Sequence, residues 1–175
     1  MIRIGTTSAA LAAAALLGFA PLTHASVLNH YDDALKAQVS LVQAVASGEH
    51  AGQGKTTGAE FDVENDRPIW EVQVLSPSGL NEYKVDAATG QVLKVEQEHL
   101  RGKITSRVTG LKLDQLQVAP MPLSEAVATA ERSLGGKAVK VEVEHEHKAI
   151  QYDVFVRKDG KTQHMKIAAA APQSR

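Results

Sequence analysis

Behind Ser40, apolar side chains return at helical spacing: Leu41, Val42, Val45 and Ala46 form one stripe that stops at Gly48. Gln43 sits three positions after Ser40, as in a capping box, so a short amphipathic helix is predicted to start there. The period then drops to two. Ala59, Phe61 and Val63 alternate with Glu60, Asp62 and Glu64, and Trp70, Val72 and Val74 alternate with Glu71 and Gln73, which predicts two half-buried strands. Asn65-Asp66-Arg67-Pro68 reads as the turn between them and Ser76-Pro77-Ser78-Gly79 as the next, because proline fixes φ and glycine tolerates the left-handed region. Tyr83 and Val85 mark a third strand, Leu93 and Val95 a fourth. The expected unit is one helix laid across an antiparallel meander, its apolar strand face turned to the helix.

The pattern occurs twice. Shifting the sequence by 82 positions aligns Leu41 with Leu123, Ala44-Val45-Ala46 with Ala126-Val127-Ala128, Gly54-Lys55 with Gly136-Lys137 and Trp70 with Tyr152. From Leu41 to Gly90, 14 of 50 aligned pairs are identical without a gap, a density in register that points to two copies of one unit. The second copy is predicted to hold a helix from about Leu123 to Ser133 and strands at Val139 to His147 and Gln151 to Arg157. An Asp159-Gly160 hairpin turn then leads into a last strand at His164 to Ala168. The expected fold class is α+β, two repeated units, each a helix packed on a small antiparallel sheet. Gln97 to Pro122 joins them, with Leu111, Leu113, Leu116 and Val118 as its packing residues.

Ahead of these units lies an export signal. Met1-Ile2-Arg3 is a short basic start, Ala9 to Ala20 is apolar and uncharged, and Thr23-His24-Ala25 offers small residues for cleavage between Ala25 and Ser26. An apolar run of about 12 residues is too short to span a bilayer, which takes roughly 20. The expected division is a signal peptide at 1–25, a first domain at 26–98, a linker at 99–120 and a second domain at 121–175, in a periplasmic or secreted protein without membrane attachment after cleavage. A formal net charge of −1 supplies no basic footprint for nucleic acid. With no cysteine there is no disulfide, thiolate nucleophile or thiolate metal cage, so the exported chain relies on packing.

The stretch Tyr83-Lys84-Val85-Asp86-Ala87-Ala88-Thr89-Gly90-Gln91-Val92-Leu93, preceded by Trp70-Glu71-Val72-Gln73-Val74 and a short Ala-rich helix, resembles the PepSY domain. The resemblance covers Ser40 to about Glu96, and more weakly Pro122 to Ala170. Its most specific element is the turn built on Asp86, Thr89 and Gly90: the carboxylate can accept backbone N–H bonds and the glycine can take a positive φ. The second copy departs there. Ala168-Ala169-Ala170-Ala171-Pro172 replaces Asp86 to Gly90, so its sheet is expected to lack a fourth strand or to borrow one from the linker. The resemblance implies a non-catalytic module of exported proteins, including propeptides of some metalloproteases, that modulates peptidases or binds peptides.

Other candidate chemistry is sparse. Gly54-Lys55-Thr56 looks like the end of a phosphate loop, but Glu49 stands where the earlier glycine is required, and the segment leaves a helix to enter a strand, the reverse of the nucleotide-binding order. His145 and His147 project from one face of a strand and, with His164 as a third ligand, form the alternative candidate for a metal-responsive accessory protein. Asp62, Glu64 and Asp66 fall on a solvated strand face and in a turn. No His-Glu-x-x-His or Gly-x-Ser-x-Gly motif occurs, so neither an enzyme nor a cofactor is expected. Phe61, Trp70, Tyr83 and Tyr152 are expected core aromatics, with Val143 and Met165 standing where the first copy has Phe61 and Tyr83. The expected partner is a protein or peptide, docked by strand addition at an exposed sheet edge.

Overall fold

In the computed structural model, residues 30–97, 112–146 and 149–169 are described. The predicted signal peptide, most of the linker, His147 and Ala170 to Pro172 lie outside them. A helical turn at 30–34 precedes α1 (Leu41–Gly52), followed by β1 (Lys55–Glu64), β2 (Arg67–Ser76), β3 (Gly79–Asp86) and β4 (Val92–Gln97). After the linker come a short α2 (Leu113–Gln117), α3 (Leu123–Leu134), β5 (Lys137–Glu146), β6 (Ala149–Lys158) and β7 (Lys161–Ala168).

Local chemistry explains the boundaries. Ser40 Oγ accepts the Gln43 N–H, and Gln43 Oε1 accepts the Ser40 N–H at 2.8 Å, so the predicted capping box starts α1. The helix continues one turn past Gly48, which serves a close approach to the sheet rather than a stop: a Cβ there would lie 2.8 Å from Val72 Cγ1. The β1–β2 hairpin turns on Asn65 and Asp66, both at positive φ, and Arg67 and Pro68 already belong to β2. Pro68 is tolerated in a strand because the β2–β3 register begins only at Ile69, so no third strand needs its missing N–H.

The two units share one arrangement of hydrogen bonds, displaced by 82 positions. Trp70 Nε1 donates to the Val39 carbonyl at 2.9 Å, and Tyr152 Oη donates to Met121 at 2.8 Å. The Val39 N–H bonds Ala87 O and the Ala87 N–H bonds Pro68 O; likewise Met121 bonds Ala169 and Ala169 bonds Ile150. Glu49 Oε1 accepts the Thr56 N–H, as Glu131 Oε1 accepts the Ala138 N–H. Both first strands bulge at the same place, Thr56/Gly58 and Ala138/Lys140.

The sheets of the two helix-plus-sheet units are joined edge to edge. The strands form one antiparallel sheet in the order β4-β3-β2-β1-β5-β6-β7. The join is short: Gly58 faces Glu142, Ala59 faces Val141 and Glu60 faces Lys140. Ala59 and Val141 are themselves 82 apart, so the units meet through an approximate two-fold axis at that pair, as two copies in an edge-to-edge dimer would. Each unit keeps its helix over its own strands. Phe61 and Trp70 pack edge to face at 5.2 Å, and Phe61, Trp70, Tyr83 and Tyr152 are all buried in one continuous apolar cluster with Val72, Val85, Val141 and Val154.

Candidate functional site

Strand alternation gives the sheet two unlike faces. The helix side is apolar, whereas the other side carries a row running across all seven strands: Lys94, Lys84, Glu71, Glu60, Lys140, Phe155 and His164, each opposite the next. Cations and carboxylates in this row neutralise one another. Lys84 Nζ lies 2.8 Å from Glu64, 3.4 Å from Glu96 and 3.8 Å from Glu71; Lys140 Nζ lies 2.8 Å from Glu60 and 3.2 Å from Glu142. Glu71 is the strained member. Burial first, then the neighbouring Glu82 and Asp62 carboxylates, push its pKa up to about 7 against the pull of Lys84.

The segment 30–39 ties both units at their junction. Tyr31 Oη donates to Glu60 and His30 Nδ1 lies 3.4 Å from Asp62 in the first unit, while Asp32 holds Arg157 through two bonds of 2.8 and 2.9 Å in the second. Lys137 Nζ reaches the Leu35 carbonyl at 3.1 Å. Desolvation and the Glu60 hydrogen bond raise the Tyr31 pKa far above its ordinary value, so the phenol stays neutral.

The β3–β4 turn is built around the Asp86 carboxylate. Asp86 Oδ1 accepts the N–H groups of Ala88 at 3.0 Å and Thr89 at 2.8 Å and the Thr89 hydroxyl at 3.0 Å, and Gly90 sits at φ +75°. The Thr89 N–H is the main reason the Asp86 carboxyl titrates below its usual range. In Gly54-Lys55-Thr56 the glycine is required by packing: a Cβ at Gly54 would stand 2.3 Å from the Leu75 carbonyl oxygen, and at Gly136 2.4 Å from that of Arg157. Lys55 pairs with Glu49 at 3.1 Å.

The histidines do not converge. His145 continues the buried face of Val141 and Val143, half-buried, its Nε2 without a hydrogen-bond partner among the described residues. His164 points from the opposite face, where its Nδ1 lies 2.8 Å from the buried Asp153 and its ring stacks on Phe155 at 5.3 Å. The Asp153 partnership was not anticipated; the cross-strand spacing that creates it appears only once the β6–β7 register is known. Glu142, Glu144 and Asp153 bring ligand oxygens within 4.8 Å of one another, but Lys140, Lys166 and His164 respectively lie against them. Glu64 is held by Lys84, Asp62 lies by His30, and Asp66 is in the hairpin turn.

A cleft of about 390 Å³ opens between α1 and α3, lined by Val45, Glu49, Thr56, Leu116, Met121 and Tyr152 among others. Its polar groups include the Glu49–Lys55 pair and Thr56, whose buried Oγ1 has no hydrogen-bond partner among the described residues. Among the described residues the sheet ends on each side in a strand with one partner: β4, with Leu93 and Val95 exposed, and β7.

One helix over an antiparallel meander, closed by the Asp86 turn, is the arrangement of residues 41–97. Residues 38–96 match the PepSY family, described as "Peptidase propeptide and YPEB domain". Among solved structures, the chain is similar to that of a "putative lipoprotein (CD1622) from Clostridium difficile 630", with 16% identity and a TM-score of 0.46 over 76% of this chain and 88% of that one. No curated protein matches the chain.

Proposed function

We propose that this is an exported, non-catalytic protein that modulates peptidases or binds peptides, and that it does so by strand addition to an open sheet edge. The observation that carries this reading is the sheet topology. Pairing of β1 with β5 consumes both inner edges, leaving β4 and β7 as the strands with an open side among the described residues. The family of residues 38–96 supports a propeptide-like, regulatory role. The recurrence of hydrogen bonds at 82 positions supports treating residues 121–169 as a sister copy of that domain. Export rests on the Met1 to Ala25 pattern, with periplasm and medium as the destinations; no helix among the described residues is long and apolar enough to cross a membrane.

The metal-responsive alternative gains no support from His145 and His164, which face opposite sides of the sheet. The test is to titrate the chain from Ser26 onward with envelope peptidases and with unfolded peptides, following inhibition and amide hydrogen exchange. Inhibition or protection at β4 or β7 is expected. Absence of binding, inhibition and edge protection alike defeats the reading.

A further inference from the structure

The two ends of the sheet differ although the units forming them correspond. β3 and β7 are equivalent, with Tyr83 82 positions before Met165 and Val85 82 before Ile167. β4 covers the outer side of β3, placing Val95 opposite Tyr83 and Val92 opposite Val85, and both β3 side chains are buried, at 6% and 0% exposure. No strand among the described residues pairs with the outer side of β7, and Met165 and Ile167 are only half-buried. The turn that brings β4 round uses the Asp86 carboxylate, Thr89 and a positive φ at Gly90. At the corresponding positions the sequence has Ala168, Ala171 and Pro172. Alanine offers no side-chain acceptor and the proline ring fixes φ near about −65°, so this sequence cannot repeat that turn.

We propose that β7 is the docking edge for an extended peptide segment of another protein, which pairs antiparallel with Gln163 to Ile167 in the place β4 takes beside β3. This deepens the strand-addition reading and rests on it. β4 itself is a poorer edge, because its pairing slips at Lys84/Val85, whereas the β6–β7 register runs unbroken from Lys158↔Lys161 to Gln151↔Ala168.

The β3–β4 pairing is also the template for the ligand. An apolar residue falls opposite Met165, as Val95 does opposite Tyr83, and covers the half-exposed side chain. An acidic residue falls opposite His164, as Glu96 does opposite Glu82, and reaches Lys166 as Glu96 reaches Lys84 at 3.4 Å. β7 carries Lys161, His164 and Lys166 and no acidic residue. Lys166 already holds Glu144 at 2.5 Å, but the equivalent Lys84 serves three carboxylates at once. The ligand class is therefore an extended segment alternating apolar and acidic side chains. Main-chain hydrogen bonds supply affinity, and alternate side chains supply selectivity.

The test uses the chain from Ser26 onward and a capped synthetic peptide with the sequence of Gln91 to Gln97 in which the Lys94 position, which falls opposite Lys166, is changed to threonine, read by fluorescence anisotropy and residue-resolved hydrogen exchange. Exchange is expected to slow in β7 and not in β4. Affinity should fall about tenfold or more with Met165→Lys, and equally with the exposed Lys166→Glu, while Val95→Lys on the other edge leaves it unchanged. A peptide with the Glu96 position changed to lysine should recover binding to Lys166→Glu. Protection at β4, or sensitivity to Val95→Lys alone, overturns the β7 assignment and leaves strand addition intact. Retained peptidase inhibition with no peptide bound and neither edge protected overturns strand addition itself. Protection of β7 that grows with protein concentration without peptide, alongside a dimer in sedimentation, overturns the foreign peptide in favour of a second copy.

Discussion

Gly54→Ala and Gly136→Ala test whether the two units begin their first strands with the same close backbone approach. At Gly54 an added Cβ would sit 2.3 Å from the Leu75 carbonyl oxygen and 2.8 Å from Val74 Cγ1; at Gly136 it would sit 2.4 Å from the Arg157 oxygen and 2.8 Å from Val156 Cγ1. Ordinary contact begins at 3.4 Å, so each methyl is roughly 1 Å too close to backbone. Neither carbonyl can retreat easily. Leu75 pairs with Lys55 on one side and Leu80 on the other, and Arg157 with Lys137 and Thr162, so yielding disturbs two ladders. Overpacking of this kind costs about 1–3 kcal/mol, and an immobile backbone partner places both variants near the upper end. At roughly 2–4 °C per kcal/mol for a chain this long, each should melt about 6–12 °C below the parent, followed by far-ultraviolet circular dichroism and Trp70 fluorescence. Gly160→Ala is the control. It meets nothing within 4 Å and carries only the penalty of φ +72°, about 1–2 kcal/mol. Melting of either test variant within about 1 °C of the parent refutes the rigid close approach, and a loss in one variant alone refutes the equivalence of the two strand starts.

Asp86→Asn should destabilise by about 2 kcal/mol, because a neutral amide replaces the carboxylate that accepts three donors in the turn; urea denaturation measures it. Since the Asp86 carboxyl is held below its ordinary value, its contribution is present above about pH 4 and disappears as pH falls through the lowered value, so the variant should show a flatter acid limb. Glu71 has the opposite sign: the folded protein binds its proton more tightly than the unfolded chain, so stability falls as pH rises from about 4.5 to about 7. Glu71→Gln should therefore match the parent at pH 4 and exceed it by about 1–2 kcal/mol at pH 8, after allowance for partial solvent screening; equal stabilities at pH 8 contradict this. Trp70→Ala should cost about 3–5 kcal/mol and Tyr152→Phe about 1 kcal/mol, the first emptying a buried site and the second removing only the donor to Met121, with chemical denaturation separating the two.

What was legible in the sequence was local or repeated. Ser40 and Gln43 cap a helix through atoms three residues apart, and alternation at Phe61 and Trp70 marks buried strand faces wherever the sheet finally lies. Asp86, Thr89 and Gly90 were readable for the same reason, since the turn is made by its own residues. The β1–β5 join was not legible, because an edge strand carries no residue pattern naming its partner, and a slip of two residues would set Ala59 against Val139 or Val143, again apolar against apolar. His145 and His164 lie 19 positions apart, on strands whose relative phase depends on the hairpin turns, so facing direction was undetermined until the register was known. Sequence alternation also gave no sign that residues 30–39 would bind both units, since Asp32 meets Arg157 across 125 positions.

On the proposed strand-addition reading, the short join leaves docking to the outer edges. Three residue pairs are few for holding two sheets together, and the Glu60–Lys140 contact at 2.8 Å, the Asp32–Arg157 bridge and the shared apolar cluster reinforce them. Because both edges belong to one chain, β1 meets β5 at the high effective concentration that a tether provides, which keeps foreign strands out of the middle of the sheet. Two units alike throughout would present two equivalent outer edges. Replacement of the Asp86-type turn by Ala168 to Pro172 breaks that equivalence, so one chain presents a bulged edge at β4 and a regular one at β7. If this asymmetry is what selects the ligand, an added peptide should slow exchange in the regular β7 edge and leave exchange in the bulged β4 edge unchanged.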